Sequence, residues 1–156
     1  MNREQFTKGV LHPTLREIPK GYSGQAALAI KMIIAHESAR GEFLYQRGGG
    51  PALGPIQMER TTHDSTWNYG DSIWDNAVVL GIVTLEQKRH HNHPPAERLI
   101  YDLRYNVFMA RQRLFMKSEA LPETIVEMSA YLKKHWNSAD GAADDGSYMR
   151  DYLLWD

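Results

Sequence analysis

At 156 residues with 42% hydrophobic content, the chain is sized for one compact domain with a substantial core. Eighteen basic residues against nineteen acidic ones leave a formal charge of −1, which excludes the global field that draws proteins to nucleic acid or anionic lipid. The absence of cysteine excludes a disulfide framework, a thiol nucleophile and a thiolate metal site.

Residues 1–22, with Pro13, Pro19 and Gly21, read as an N-terminal arm or short helix leading into the domain. The stretch has no apolar h-region, and the longest apolar run, broken by Lys31, is too short to span a bilayer, so neither export signal nor membrane insertion is expected. "YSGQAALAIKMIIAHESARG" predicts a helix capped by Ser23 and stopped at Gly41. Its apolar residues occupy most faces, the mark of a central buried helix. A glycine-rich loop runs to about Leu53, and "GPIQMERTTHDSTWNYGDSIW" then mixes short helical turns with polar punctuation. "DNAVVLGIVTLEQ" predicts one helix. After the break at "HHNHPP", Leu99, Leu103, Val107, Ala110 and Leu114 recur at helical spacing through "AERLIYDLRYNVFMARQRLFMK". "LPETIVEMSAYLKKHW" enters a helix at Pro122 and Glu123, with Ile125, Met128, Leu132 and Trp136 on one stripe. "DDGSYMRDYLLW" predicts a short helix that returns its aromatic residues to the domain. No repeat or low-complexity tract is visible, and strand signals are few, so the fold class is mainly α.

One residue breaks the apolar pattern. Counting back from Glu37 by helical steps meets Ile34, Ile33 and Ile30, which places the acid on a face that must be buried. Desolvation penalises the charged form and raises a carboxyl pKa, which suits Glu37 to general-acid work near neutral pH. The bland alternative is a helix-end glutamate that reaches solvent or pairs with Arg40 or Arg47. Beyond it, Gly48, Gly49, Gly50 and Gly54 let backbone approach a bound molecule closely, and Gln57 both donates and accepts hydrogen bonds, as a polyhydroxylated or N-acetylated ligand requires.

The Glu37–Ser38 pair after an apolar helix, followed by Gly54, Pro55, Ile56, Gln57 and Met58 in a Gly-x-x-Gln-Met pattern, resembles the lysozyme-like superfamily, in particular lytic transglycosylases and goose-type lysozymes. "YDLRYNVFMARQRL", with Asn106, and "MSAYLKKHWNSADGAA", with Tyr131 and Asn137, are similar to later motifs of that family, and "GPIQMERTTHD" and "HWNSADG" look like small phage proteins of the superfamily. The resemblance spans roughly residues 26–143 in the family's order. It implies a lysozyme-like single domain whose central helix carries the catalytic Glu. It also implies that Glu37 protonates the glycosidic oxygen between N-acetylmuramic acid and N-acetylglucosamine, then takes a proton from the muramoyl hydroxyl as an anhydro ring closes. Ser38, Gly54, Gln57, Met58, Tyr131 and Asn137 are implied as substrate-binding residues, with peptidoglycan glycan strands as the partner and no cofactor. A phage product without a signal peptide is expected to be made in the host cytoplasm and to act in the periplasm and cell wall, or alongside virion proteins in the particle.

A glycosidase with two carboxylates holds them about 5 to 9.5 Å apart. The loop "YQRGGGPALG" contains no acid, which favours a single-carboxylate transglycosylase over a hydrolytic lysozyme, with Glu42, Glu59 and Asp64 as the candidates for a second acid. The histidines of "KRHHNHPP" (His90, His91 and His93) read as a solvated loop, so no metal is expected. His36 beside Glu37 and His63 beside Asp64 are placed to tune the cleft by charge. Arg98, Arg104, Arg111 and Arg113 read as a solvated basic face, with cell-wall polymer as the alternative contact and nucleic acid not expected. Trp67, Tyr69 and Trp74 are candidates both for sugar stacking and for the core.

Overall fold

Side-chain caps decide where half of the described α-helices begin. The computed structural model describes residues 1–137 and 141–156. Asn2 accepts the Gln5 amide at the start of α1 (Arg3–Phe6), a π turn follows over Thr7–Leu11, and α2 (His12–Glu17) continues it. The widened turn ends two residues before Pro13, which has no N–H to complete a regular helical ladder. Phe6, Leu11, Leu15 and Ile18 are buried, so these first residues are helical and part of the core rather than a detached arm.

Ser23 accepts the Ala26 amide at 2.9 Å and opens α3 (Gly24–Glu37). Ala26, Ala29, Ile30, Met32, Ile33 and Ile34 are fully buried, as a helix apolar nearly all round requires. The helix ends at Glu37, four residues before the expected stop at Gly41. Its end is set by Ser38, and the chain then turns through three consecutive left-handed residues, Ala39 (φ 48°), Arg40 (φ 66°) and Gly41 (φ 80°).

The strands β1 (Ala52–Leu53) and β2 (Met58–Glu59) pair antiparallel, with Ala52 opposite Glu59 and Leu53 opposite Met58. Helix α4 (Arg60–Trp67) follows directly. The segment expected as one helix over "DNAVVLGIVTLEQ" is two. Helix α5 (Ser72–Val79) stops before Gly81, which takes φ 70°, and α6 (Leu85–Arg89) restarts on a Thr84–Gln87 capping box.

The clearest periodic segment is also interrupted. Helix α7 (Arg98–Tyr101) ends at Asp102, whose extended backbone lets its carboxylate cap α8 (Leu103–Phe115) through the Tyr105 amide. The carboxamide Nδ2 of Asn106 donates to the carbonyls of Leu99 and Asp102 at 2.7 and 2.8 Å, satisfying groups that the break leaves open. Thr124 caps α9 (Ile125–His135), with Met128 and Leu132 buried, and α10 (Ser147–Leu153) lies against α3 and α9.

The buried side chains form one cluster running from Phe6 to Trp155, and α8 packs against α2, α3 and α4. The chain ends meet, because Trp155 Nε1 donates to the Met1 carbonyl at 2.6 Å and its ring stacks on Phe6. The protein is mainly helical, and no described helix is long and apolar enough to cross a membrane.

Candidate active site

The last turn of α3 opens onto a cleft of about 840 Å³. His36 and Glu37 come from the last turn of α3; Arg40, Phe43 and Arg47 from the following loop; Gln57 from the turn between the strands; Met58 and Glu59 from β2; Thr62 from α4. The rest of the lining is Arg113 near the end of α8, Trp136 and Asn137 after α9, Asp151 from α10 and Leu154 just beyond it.

Glu37 Oε1 accepts a hydrogen bond from the Tyr148 hydroxyl at 2.6 Å. Burial pushes the Glu37 pKa above the usual carboxylate range, while the Tyr148 hydrogen bond and the neighbouring His36 pull it partway back. Tyr148 is fully buried, and burial together with the Glu37 charge drives its own pKa far up, so the phenol is a fixed donor. Behind it, the Asn137 side chain hydrogen-bonds the phenol oxygen and Lys133 Nζ donates to Asn137 Oδ1 at 3.0 Å, a polar chain ending on the catalytic candidate. His36 Nδ1 lies 2.6 Å from Asp151 Oδ2, and its ring centroid is 4.3 Å from that of Tyr148. Tyr148 and Asp151, three residues apart on α10, therefore address Glu37 and His36, the two neighbours at the end of α3.

The structure distributes the expected site residues among different places. Gln57 and Met58 line the cleft, as does Asn137. Gln57 holds a left-handed backbone (φ 48°) and ties its Nε2 to the Gly54 carbonyl at 2.9 Å. Ser38 is buried and does not line the cleft: its hydroxyl donates to the Ile34 carbonyl at 3.1 Å and accepts the Gly41 amide at 3.0 Å, closing the end of α3. Gly54 is buried beside α8 with φ 75°, where an added Cβ would sit 2.2 Å from the Leu99 carbonyl oxygen, so its small size serves packing within the protein. Tyr131 is turned away from the cleft and donates to the Glu119 carbonyl at 3.3 Å. The tyrosine beside Glu37 is Tyr148, which the interrupted motif around Tyr131 does not reveal. The signal available in the sequence was the Tyr-x-x-Asp spacing in "SYMRDY", which puts two polar groups on one face of a helix otherwise read as packing.

Among the candidate second acids, Glu59 lines the cleft, whereas Glu42 and Asp64 do not. Asp151, not anticipated, lines it in contact with His36. The His63–Asp64 pair likewise lies outside the cleft, so of the two histidines expected to tune it only His36 is in place.

The basic face also divides. Arg98 pairs with Asp102, Arg104 with Glu17, and Arg111 is buried, donating to the Gly21 carbonyl at 2.8 Å. Arg113 alone of these turns into the cleft, where it joins Arg40 and Arg47, and none of these cleft arginines has an ion pair among the described residues. Arg47 lies 3.9 Å over the Phe43 ring. A chain of nearly balanced charge thus collects unpaired guanidiniums in its cleft, which suits an anionic ligand. Trp67 and Trp74 are core residues, Tyr69 is exposed, and the aromatic rings lining the cleft are Phe43 and Trp136. No protein family, no curated protein and no solved structure matches this chain.

Proposed function

We propose that the chain is a peptidoglycan-cleaving lytic transglycosylase on a lysozyme-like fold, encoded by a phage as a lysin or virion-associated enzyme. The observation that carries this reading is the Glu37 carboxyl, raised in pKa by burial yet lining an open cleft of about 840 Å³. Protonated Glu37 gives its proton to the glycosidic oxygen between N-acetylmuramic acid and N-acetylglucosamine as the bond to the muramoyl anomeric carbon breaks. The resulting carboxylate, held by the Tyr148 phenol, takes the proton of the muramoyl 6-hydroxyl while that oxygen closes onto the anomeric carbon. Glu37 ends protonated, no water is consumed, and one carboxyl serves both steps. The acid-free loop and the pairing of Asp151 with His36 favour this single-carboxylate route.

Gln57 and Asn137 present amides to the sugars, and the unpaired arginines suit the carboxylates of the peptide stems. A second reading, a hydrolytic muramidase, rests on Glu59, which lines the cleft without a partner among the described residues and would activate a water. A third is a non-catalytic phage structural protein on the same scaffold. Digestion of purified sacculi followed by mass spectrometry of the muropeptides separates them. Products one water lighter, with anhydro ends, support the transglycosylase, and ordinary reducing ends assign hydrolysis. Equal results from wild type and Glu37→Gln leave only the structural role.

A further inference from the structure

Away from the cleft, α4 and the loop before α7 bring His63, Asp64 and His93 together, one ligand atom of each lying within 4.8 Å of the others. His63 Nδ1 is 2.8 Å from Asp64 Oδ1, and His93 Nε2 is 3.8 Å from the same oxygen. The far nitrogen of each ring is held from behind. His93 Nδ1 lies 2.7 Å from the Pro94 carbonyl oxygen, and His63 Nε2 lies 2.7 Å from the Tyr105 hydroxyl, which itself accepts Trp67 Nε1–H at 2.9 Å. A carbonyl only accepts, so the proton of neutral His93 sits on Nδ1 and its Nε2 lone pair faces the Asp64 carboxylate. A lone pair aimed at a carboxylate oxygen is repulsive, and either a cation between them or a second proton on the ring relieves it. The His93 ring cannot readily turn away, because it stacks on Trp67 at 5.6 Å and 10°.

We propose that His63 Nδ1, the Asp64 carboxylate and His93 Nε2 bind a divalent transition-metal ion of the zinc type, with water completing the coordination. Two imidazoles and a carboxylate form a donor set suited to zinc, and rings that donate their far N–H to an outer partner are the arrangement metal-bound histidines adopt. With the ion on Nδ1, neutral His63 carries its proton on Nε2 and donates it to the Tyr105 oxygen, so the Tyr105 hydrogen, which faces Nε2 without the ion, has to rotate away. The Asp64 side chain is 55% exposed and gives the ion a way in. The ion ties the histidine-rich loop to α4, whose Thr62 faces the cleft.

The full chain, stripped with a chelator, is titrated with zinc chloride by calorimetry, and cobalt chloride supplies a visible spectrum that reports coordination. One ion per chain, a raised Tm, and a loss of affinity of about tenfold or more in both His93→Gln and Asp64→Asn are expected, on the scale that metal sites show. Melting of each variant without metal checks that it is folded. The double variant His90→Ala/His91→Ala, outside the cluster, is expected to bind as wild type does. The proposal is overturned if wild type takes up no zinc at micromolar concentration, if the His93 and Asp64 variants bind undiminished, or if binding follows His90 and His91 instead.

Discussion

The Tyr148 hydroxyl donates to Glu37 Oε1 at 2.6 Å across 111 positions of chain, from a side chain that is itself fully buried. A donor of this kind favours the carboxylate over the acid, opposing the burial that raises the Glu37 pKa. Tyr148→Phe therefore raises that pKa further and withdraws the hydrogen bond the carboxylate needs between the two proton transfers. A hydrogen bond to a charged group contributes about 1.5–3 kcal/mol, so the maximal rate falls about 10- to 100-fold. The alkaline limb of the rate profile moves to higher pH. Clearing rates of sacculi across pH test both effects, and a profile superimposable on wild type removes Tyr148 from the reaction.

Glu37→Gln abolishes cleavage and raises Tm at neutral pH. The folded pKa of Glu37 lies above its unfolded value, so its contribution to stability is fully present below the unfolded pKa and is lost as pH rises through the folded one. Above that folded pKa wild type carries a half-buried charge, and the amide removes it while still accepting from Tyr148. Thermal melts from neutral pH down past the ordinary carboxylate range should show the advantage of the variant shrinking on acidification.

Arg113→Gln and Arg47→Gln weaken binding of peptide-bearing glycan and leave glycan stripped of its peptides unaffected. Each lost charge-assisted contact amounts to roughly 1.5 kcal/mol, or about tenfold in KM. Initial rates on sacculi before and after amidase treatment measure the difference, and an equal effect on both substrates argues against carboxylate recognition.

Gly54→Ala is strongly destabilising. Its φ of 75° is left-handed, and the new Cβ meets the Leu99 carbonyl oxygen at 2.2 Å and Asn106 Oδ1 at 2.8 Å. A cost of about 3 kcal/mol lowers Tm by roughly 6–12 °C in a chain of this size. Asn106→Ala, which strands the carbonyls at the junction of α7 and α8, costs about 2 kcal/mol. Denaturant unfolding checks both.

Local chemistry carried one helix start, since Ser23 caps α3 as its side chain and the following apolar run require, whereas the entry read at Pro122 and Glu123 falls before α9, which Thr124 caps and Ile125 begins. Breaks inside apolar segments were harder to read. Gly81 is tolerated within many helices, and only the packing of Ile82 and Val83 shows that the chain turns there. Asp102 looks like an ordinary exposed-face residue until its extended backbone makes it a cap. Glu37 was legible as a buried acid because its apolar neighbours are adjacent in sequence. Its tyrosine was not, because motif order pointed to Tyr131, whereas the docking of α10 on α3, a long-range event, supplies Tyr148. The cluster of His63, Asp64 and His93 was hidden for the same reason: three ordinary residues gain a shared focus only when α4 meets the distant loop.

The lateness of Tyr148 has a consequence for synthesis. A ribosome finishes Glu37 long before it reaches residue 148, so a growing chain holds its acid without the helix that buries it and without the phenol that steadies its anion. Until then the Glu37 carboxyl lacks part of the burial that raises its pKa and the hydrogen bond that opposes the rise. Assembly of the α3–α10 contact is thereby the step that sets the Glu37 carboxyl beside its phenol, and it waits on a helix made near the end of the 156 residues.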